Sequence, residues 1–172
     1  MVCADRVCLD AGASTGGFTD VLLHRGAALV YAVDVGHGQL HPRLAGDERV
    51  RIMDRTNVRG LSSVDGPRPS LVTLDLSFIS LRAVLPGLAR LAPGAEVVAL
   101  FKPQFELARD QVGRGGVVRD PAATAAGLAG FMAWAAGELG AEVLSDPVAA
   151  GTRGAKGNQE WLVHLLLGGA AS

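Results

Sequence analysis

The sequence predicts an α/β fold: a seven-stranded, mostly parallel sheet with an antiparallel final strand and helices on both faces. Three observations predict it. Short, near-continuous apolar runs alternate with helix-length segments, the pattern of a parallel sheet covered on both sides. The first five runs each end at a charged residue: Asp10, Asp34, Asp54, Asp75 and Lys102. The last two runs, Glu142–Leu144 and Trp161–Leu167, leave no room between them for a crossover helix and should pair antiparallel. At 172 residues, 49% hydrophobic and 19% charged, residues 1–172 read as one domain with apolar content for a sizeable core.

The elements follow in order. The run Val7–Leu9 enters a glycine-rich turn, Asp10-Ala11-Gly12-Ala13-Ser14-Thr15-Gly16-Gly17, which opens a helix over 18–25. The second run, Leu29–Val33, ends in Asp34, about 20 residues beyond the turn, where a βαβ unit places an acid to hold a ribose diol. The glycines let backbone approach a ligand closely, so the pair reads as a nucleoside-cofactor site. Val50–Met53 leads to Asp54, Leu71–Leu74 to Asp75, and Glu96–Phe101 to Lys102, with a helix at 80–91. Leu128, Phe131, Met132, Ala135 and Leu139 recur at helical spacing within a further helix over 121–138. Ligands collect at the carboxyl ends of such strands. Four aspartates and a lysine at five strand exits therefore predict one functional rim.

Composition narrows the function classes. A net charge of −1 argues against strong nonspecific nucleic-acid binding by this domain alone. Cys3 and Cys8 are too few for a disulfide framework or a zinc site, and Cys8 reads as a buried apolar thiol. His24, His37, His41 and His164 have no metal-ligand spacing, so no metal is expected. No charged segment precedes an apolar one at the start, and the uncharged run Ala122–Gly137 falls short of the ~20 residues of a membrane span. The expectation is a soluble, cytoplasmic protein without membrane partners, its oligomeric state unspecified. Lys102 and Lys156 are the only lysines among 16 basic residues.

A seven-stranded sheet of this kind, with Asp-x-Gly-x-x-x-Gly-Gly after the first strand and an acid after the second, resembles the class I methyltransferases with their Rossmann-like fold. The local motifs are sharper. Asp10-Ala-Gly-Ala-Ser-Thr-Gly-Gly-Phe-Thr-Asp20, Tyr31-Ala-Val-Asp-Val-Gly36 and Leu74-Asp-Leu-Ser-Phe-Ile-Ser80 resemble the TlyA/hemolysin A family. So do Phe101-Lys-Pro-Gln-Phe-Glu106, Gly115-Gly-Val-Val-Arg-Asp-Pro121 and Gly157-Asn-Gln-Glu160. The six motifs run in order from about residue 7 to 167. The family comprises ribosomal RNA 2′-O-ribose methyltransferases with an FtsJ-like core.

The resemblance implies S-adenosyl-L-methionine (SAM) as cofactor, ribosomal RNA as partner, and specific roles. Lys102 would stabilise alkoxide character on the poorly nucleophilic ribose hydroxyl. Asp75 would orient Lys102 and lie near the methyl-donor end, and Glu160 would complete the catalytic cluster. Gly12, Ser14, Gly16 and Gly17 would line the methionine portion, with Asp10, Thr15 and Phe18 of the same turn counted among the cofactor contacts. Asp34, followed by Val35, would take the ribose; Asp54 and Arg55 would sit at the adenine. Asn57 reads equally as a turn residue. Asn158 is either a backbone clasp or a cofactor-side contact, and Gly115-Gly116 is either a lid or a flexible loop. Arg109, Arg114, Arg119 and Arg153 lie in loops flanking the site, placed to grip phosphates or simply solvated.

Two features depart from the family pattern. FtsJ-like enzymes use a further catalytic lysine on a helix before the first strand, and family members carry an S4-type RNA-binding domain. Only six residues precede Val7, none a lysine. The chain is therefore read as a truncated form, expected to bind cofactor without full catalysis and to hold RNA poorly, with Lys156 as a candidate stand-in. The alternatives are a non-catalytic cofactor- or RNA-binding module and a hemolysin-like cytolysin. Against a nicotinamide-dependent dehydrogenase stands the Asp75, Lys102 and Glu160 set.

Overall fold

A computed structural model describes residues 2–168. Its strands are β1 (Val7–Ala11), β2 (Leu29–Val33), β3 (Val50–Met53), β4 (Leu71–Leu74), β5 (Glu96–Phe101), β6 (Glu142–Arg153) and β7 (Gln159–Leu166). They form one sheet in the order β3-β2-β1-β4-β5-β7-β6. The first five are parallel, and β7 runs antiparallel to both β5 and β6. The predicted sheet, with its antiparallel final strand, is the one observed. The chain winds outward from β1 to β3 and then returns to β4, so the strand order reverses between β1 and β4. A crevice opens at the strand ends of such a switch point, and ligands bind there.

The helices are α1 (Gly17–His24), α2 (Pro42–Ala45), α3 (Leu85–Leu91), α4 (Pro103–Glu106) and α5 (Pro121–Gly137). Asp120 caps α5 by accepting from the Ala122 amide, and Pro121 opens the helix where its missing N–H costs nothing. The helix expected over 80–91 is divided. Ser80 caps a 3-10 turn over Leu81–Ala83, and Pro86, which lacks the N–H a continuous helix would need, sits in the first turn of α3. The four-residue helices α2 and α4 are too short to show a period, and each starts at a proline. β6 is far longer than the three residues expected. It is an edge strand, mostly exposed, holding Pro147 and several register shifts, and its pairing to β7 replaces the missing apolar pattern.

Register shows where the core sits. One row across the sheet runs Tyr31, Leu9, Val72, Val97, Leu165. These side chains are buried with Leu85, Leu88, Phe131 and Ala135 of α3 and α5. On the opposite face Cys8, Val30, Ala32 and Leu71 pack against Leu22 and Leu23 of α1 and Leu44 of α2. Each fully buried aliphatic side chain contributes about 1.5–3 kcal/mol. Val98, Leu100 and Leu162, on that same opposite face of β5 and β7, stay half-buried and belong to neither core. Helices thus lie on both faces of the sheet, as expected; among the described residues they cover both faces over β1, β2 and β4 and only one over β5, β7 and β6. Cys3 and Cys8 are both buried, and burial pushes the Cys8 thiol up to about 12. Among the described residues, no helix is long and apolar enough to cross a membrane.

Candidate active site

The glycine turn is shaped by backbone that few residues tolerate. Gly12, Ser14 and Gly16 all have positive φ, at 81°, 48° and 103°. A Cβ on Gly12 would run into the Asp75 carbonyl, so glycine here permits the β1 and β4 exits to touch. The Gly12 and Ala13 amides donate to the Val33 carbonyl, and the Ser14 amide donates to Asp34 Oδ2 at 2.9 Å. Asp34 Oδ1 accepts from the Gly36 amide at 2.7 Å. Two backbone donors fix the carboxylate while half of its four lone-pair directions remain open.

Beside it lies a cleft of about 540 Å³ whose walls include Gly12, Ser14, Asp34, Val35, Asn57 and Asp75. A recess of about 410 Å³ continues along Gly12, Ser14, Thr15, Gly17 and Phe18, again reaching Asp75. Gly16 is turned away, against Leu40 and Leu44 under the turn.

Three further sequence-predicted residues stand elsewhere. β1 continues through Ala11, so Asp10 lies inside the sheet, fully buried, rather than on the rim. Its carboxylate accepts from Thr19 Oγ1 at 2.6 Å and Thr73 Oγ1 at 2.9 Å, and burial raises its pKa against those hydrogen bonds. Asp54 lines neither the cleft nor the recess. Its Oδ2 accepts from the Gly38 amide and pairs with His37 Nδ1, both at 2.8 Å, and the Gly38 bond foremost holds it below the usual carboxylate range. Arg55 is exposed, at a positive φ of 53°. Thr56, Asn57 and Val58 form that wall instead. Asn57 also caps the next turn by accepting from the Arg59 amide, so it is both turn residue and cleft wall.

A third cavity, of about 390 Å³, gathers Asp75, Lys102 and Glu160. Phe101 pairs with Trp161 across β5 and β7, which places Lys102 and Glu160 side by side at the ends of those strands. Lys102 Nζ lies 2.6 Å from Asp75 Oδ1 and 3.4 Å from Ser77 Oγ, with the lysine largely buried. Glu160 is buried and accepts from Gln104 Nε2 at 3.0 Å. A Cβ at Gly154 would strike its carboxylate, so the β6–β7 turn must pass close over it. Lys156 lines the same cavity. Among the described residues, Asp75 is the one common to the cleft, the recess and this cavity.

Sequence reasoning missed the aromatic lip of this cavity. Phe78 is 89% exposed at a positive φ of 66°, and its ring lies 5.2 Å from that of Phe105. The loop that carries it is tied to α4 by Glu106, which accepts from the Ser80 hydroxyl and the Leu81 amide, both at 2.6 Å. Burial raises the Glu106 pKa against those two bonds. An aromatic one turn beyond a strand-end acid was the available signal. Asn158 is buried; it accepts from the Val118 amide at 2.9 Å and donates to the Gly116 carbonyl at 2.8 Å. It is therefore a backbone clasp, holding the glycine loop against the β6–β7 turn. Among the described residues, no three His, Cys, Asp or Glu side chains cluster as a metal site.

Comparison with known proteins gives the family and the fold. The FtsJ-like methyltransferase family matches residues 1–166. The 16S/23S rRNA (cytidine-2′-O)-methyltransferase TlyA of Mycobacterium tuberculosis is 60% identical over 120 residues, covering 69% of this chain and 45% of the relative. A Streptococcus thermophilus protein of known structure superposes with a TM-score of 0.93 at 44% identity, covering 98% of this chain and 61% of that one. Magnesium protoporphyrin IX methyltransferase of Synechocystis, solved with bound SAM, shares the fold alone: TM-score 0.60, 18% identity, 96% of this chain and 71% of that one. The chain spans about half the length of the curated relatives it matches first. It has the class I methyltransferase fold and belongs to the FtsJ-like methyltransferase family, in the TlyA/hemolysin A branch that its motifs resemble.

Proposed function

We propose that this chain is the catalytic core of a SAM-dependent methyltransferase acting on a ribose 2′-hydroxyl of ribosomal RNA. The observation that carries the reading is Asp75: it forms a wall of the nucleoside cleft and of the acceptor cavity, and it holds Lys102 at 2.6 Å. The residues present suit the cofactor. Asp34 offers open carboxylate lone pairs to a diol, and the recess along Gly12–Phe18 leads from there to Asp75. SAM, when bound, supplies an electrophilic methyl group. The protein's part is to position the acceptor and to stabilise the charge on its oxygen as the hydroxyl proton passes to water.

Lys102 has three N–H donors, of which Asp75 and Ser77 engage two. The third is free to hold the acceptor oxygen and stabilise negative charge as it develops. Asp75 fixes the ammonium in place, and Gln104 fixes Glu160 beside it. Lys156 adds a second positive charge to the cavity. The exposed Phe78 ring offers a base the kind of stacking surface that single-stranded RNA uses. A ribosomal RNA substrate places the protein in the cytoplasm.

Calorimetric titration tests the cofactor. SAM is expected to bind saturably, NADH not to bind, and Asp34→Ala to weaken SAM at least tenfold, the loss of charge-assisted hydrogen bonds worth about 1.5–3 kcal/mol. Lys102→Ala is expected to keep SAM binding while abolishing transfer of labelled methyl to ribosomal RNA. NADH binding in place of SAM would refute the reading.

A further inference from the structure

On the far side of the Asn158 clasp lies another cavity, of about 560 Å³, which the mechanism leaves unused. Ala125, Leu128, Ala129 and Met132 of α5 form one wall and the Trp161 ring another. Glu160 and Trp161 are neighbours whose side chains leave β7 on opposite faces. Glu160 thus lines the acceptor cavity and Trp161 this one, with Asn158 shared between them.

Three observations indicate what the cavity takes. Arg119 and Arg153 line it, no acidic residue does, and neither arginine is in an ion pair among the described residues. The Trp161 indole N–H is buried without a hydrogen-bond partner among the described residues, although buried donors are nearly always paired. Helix α5 carries no charged residue from Pro121 to Gly137, although its outer face is exposed and a solvated helix face is normally polar. A mostly apolar cavity with two arginines in its lining, next to a cavity for a ribose, fits a nucleobase whose flanking phosphates meet the arginines.

We propose that this cavity receives the base of a nucleotide adjacent to the methylated one, so that single-stranded RNA is held on both sides of the Asn158 clasp. The proposal rests on the RNA methyltransferase reading above. Its test uses the full chain and fluorescein-labelled dodecacytidylate, followed by anisotropy at low salt. Ala129→Trp, made on the exposed side of α5, fills the cavity and is expected to weaken binding at least tenfold while SAM affinity stays unchanged. Arg119→Gln with Arg153→Gln is expected to flatten the dependence of log affinity on log salt by about 0.7 per arginine. With 5-iodocytidine in the oligonucleotide, photocrosslinks are expected on peptides containing Met132 or Trp161. Wild-type affinity in Ala129→Trp, or crosslinks confined to Phe78 and Phe105, would overturn the cavity assignment and leave the methyltransferase reading standing. Failure of the wild-type chain to bind the oligonucleotide would overturn the assignment together with its RNA premise, and retained SAM binding in that case would leave the cofactor site intact.

Discussion

Asp10 and Asp75 are both aspartates close to a strand end, and two residues of strand length separate their fates. Asp10 precedes the end of β1 and turns into the core, where two threonine hydroxyls satisfy it; Asp75 follows the end of β4 and reaches Lys102. Asp10 thus anchors α1, through Thr19, and β4, through Thr73, beneath the cofactor turn. Asp10→Ala is expected to lose about 1–3 kcal/mol, because both hydroxyls are left without their acceptor, as read by urea unfolding. Asp10→Asn is expected to fold and to change the pH profile. The native carboxyl keeps its proton to higher pH than the unfolded chain does. Its contribution is therefore full below the unfolded value of 3.8 and lost as pH rises through the raised native value. The amide removes that loss, so unfolding measured from pH 4 to 8 should decline less in Asp10→Asn than in wild type. An identical decline would show that Asp10 does not govern it.

At the scale of elements, the loops decide the chemistry and the strands merely aim them. Asn158 joins two loops far apart in sequence by two hydrogen bonds, to Gly116 and Val118. The same loop has its own Gly113–Val117 bridge, so the clasp and the bridge divide the work. Asn158→Ala is expected to speed hydrogen exchange at the Val118 amide by about 10–100-fold, with α3 and β4 unaffected. Unchanged protection there would assign the loop's order to the bridge alone. Strand positions were legible in sequence because buried parallel strands are written as apolar runs: β2, β3, β4 and β5 fall where those runs fall. That Asp75, Lys102 and Glu160 line one cavity was legible through motif resemblance combined with strand-end position. Asp54 was not, because its side chain is claimed by His37 and Gly38 of a neighbouring loop, a tertiary choice without a local sign. The Phe78 lip escaped for a related reason. Its exposure depends on a left-handed backbone conformation held by Glu106 and Phe105, which lie more than twenty residues away.

At the scale of the molecule, the sheet is asymmetric. β1, β2 and β4 are sandwiched between helices, whereas β5 and β7 present Val98, Leu100 and Leu162 half-buried on the face that carries α1. Below them the Arg6–Glu96–His164 network covers the start of β5 and the end of β7, leaving the apolar patch just beneath the cavity of Asp75, Lys102 and Glu160. Apolar side chains that join no core contribute little to folding and remain available to bind apolar probes. The double variant Leu100→Ser, Leu162→Ser is therefore expected to lose only about 1 kcal/mol per site, against about 2–5 kcal/mol for Leu165→Ala on the opposite, fully covered face. The native chain is also expected to bind an anilinonaphthalene sulfonate dye under conditions where it is fully folded, and the double variant to lose most of that fluorescence. Dye binding that persists in the variant would move the exposed apolar surface to another part of the molecule. A loss of stability as large as that of Leu165→Ala would show that the two leucines are core residues and that both faces of the sheet are closed in solution.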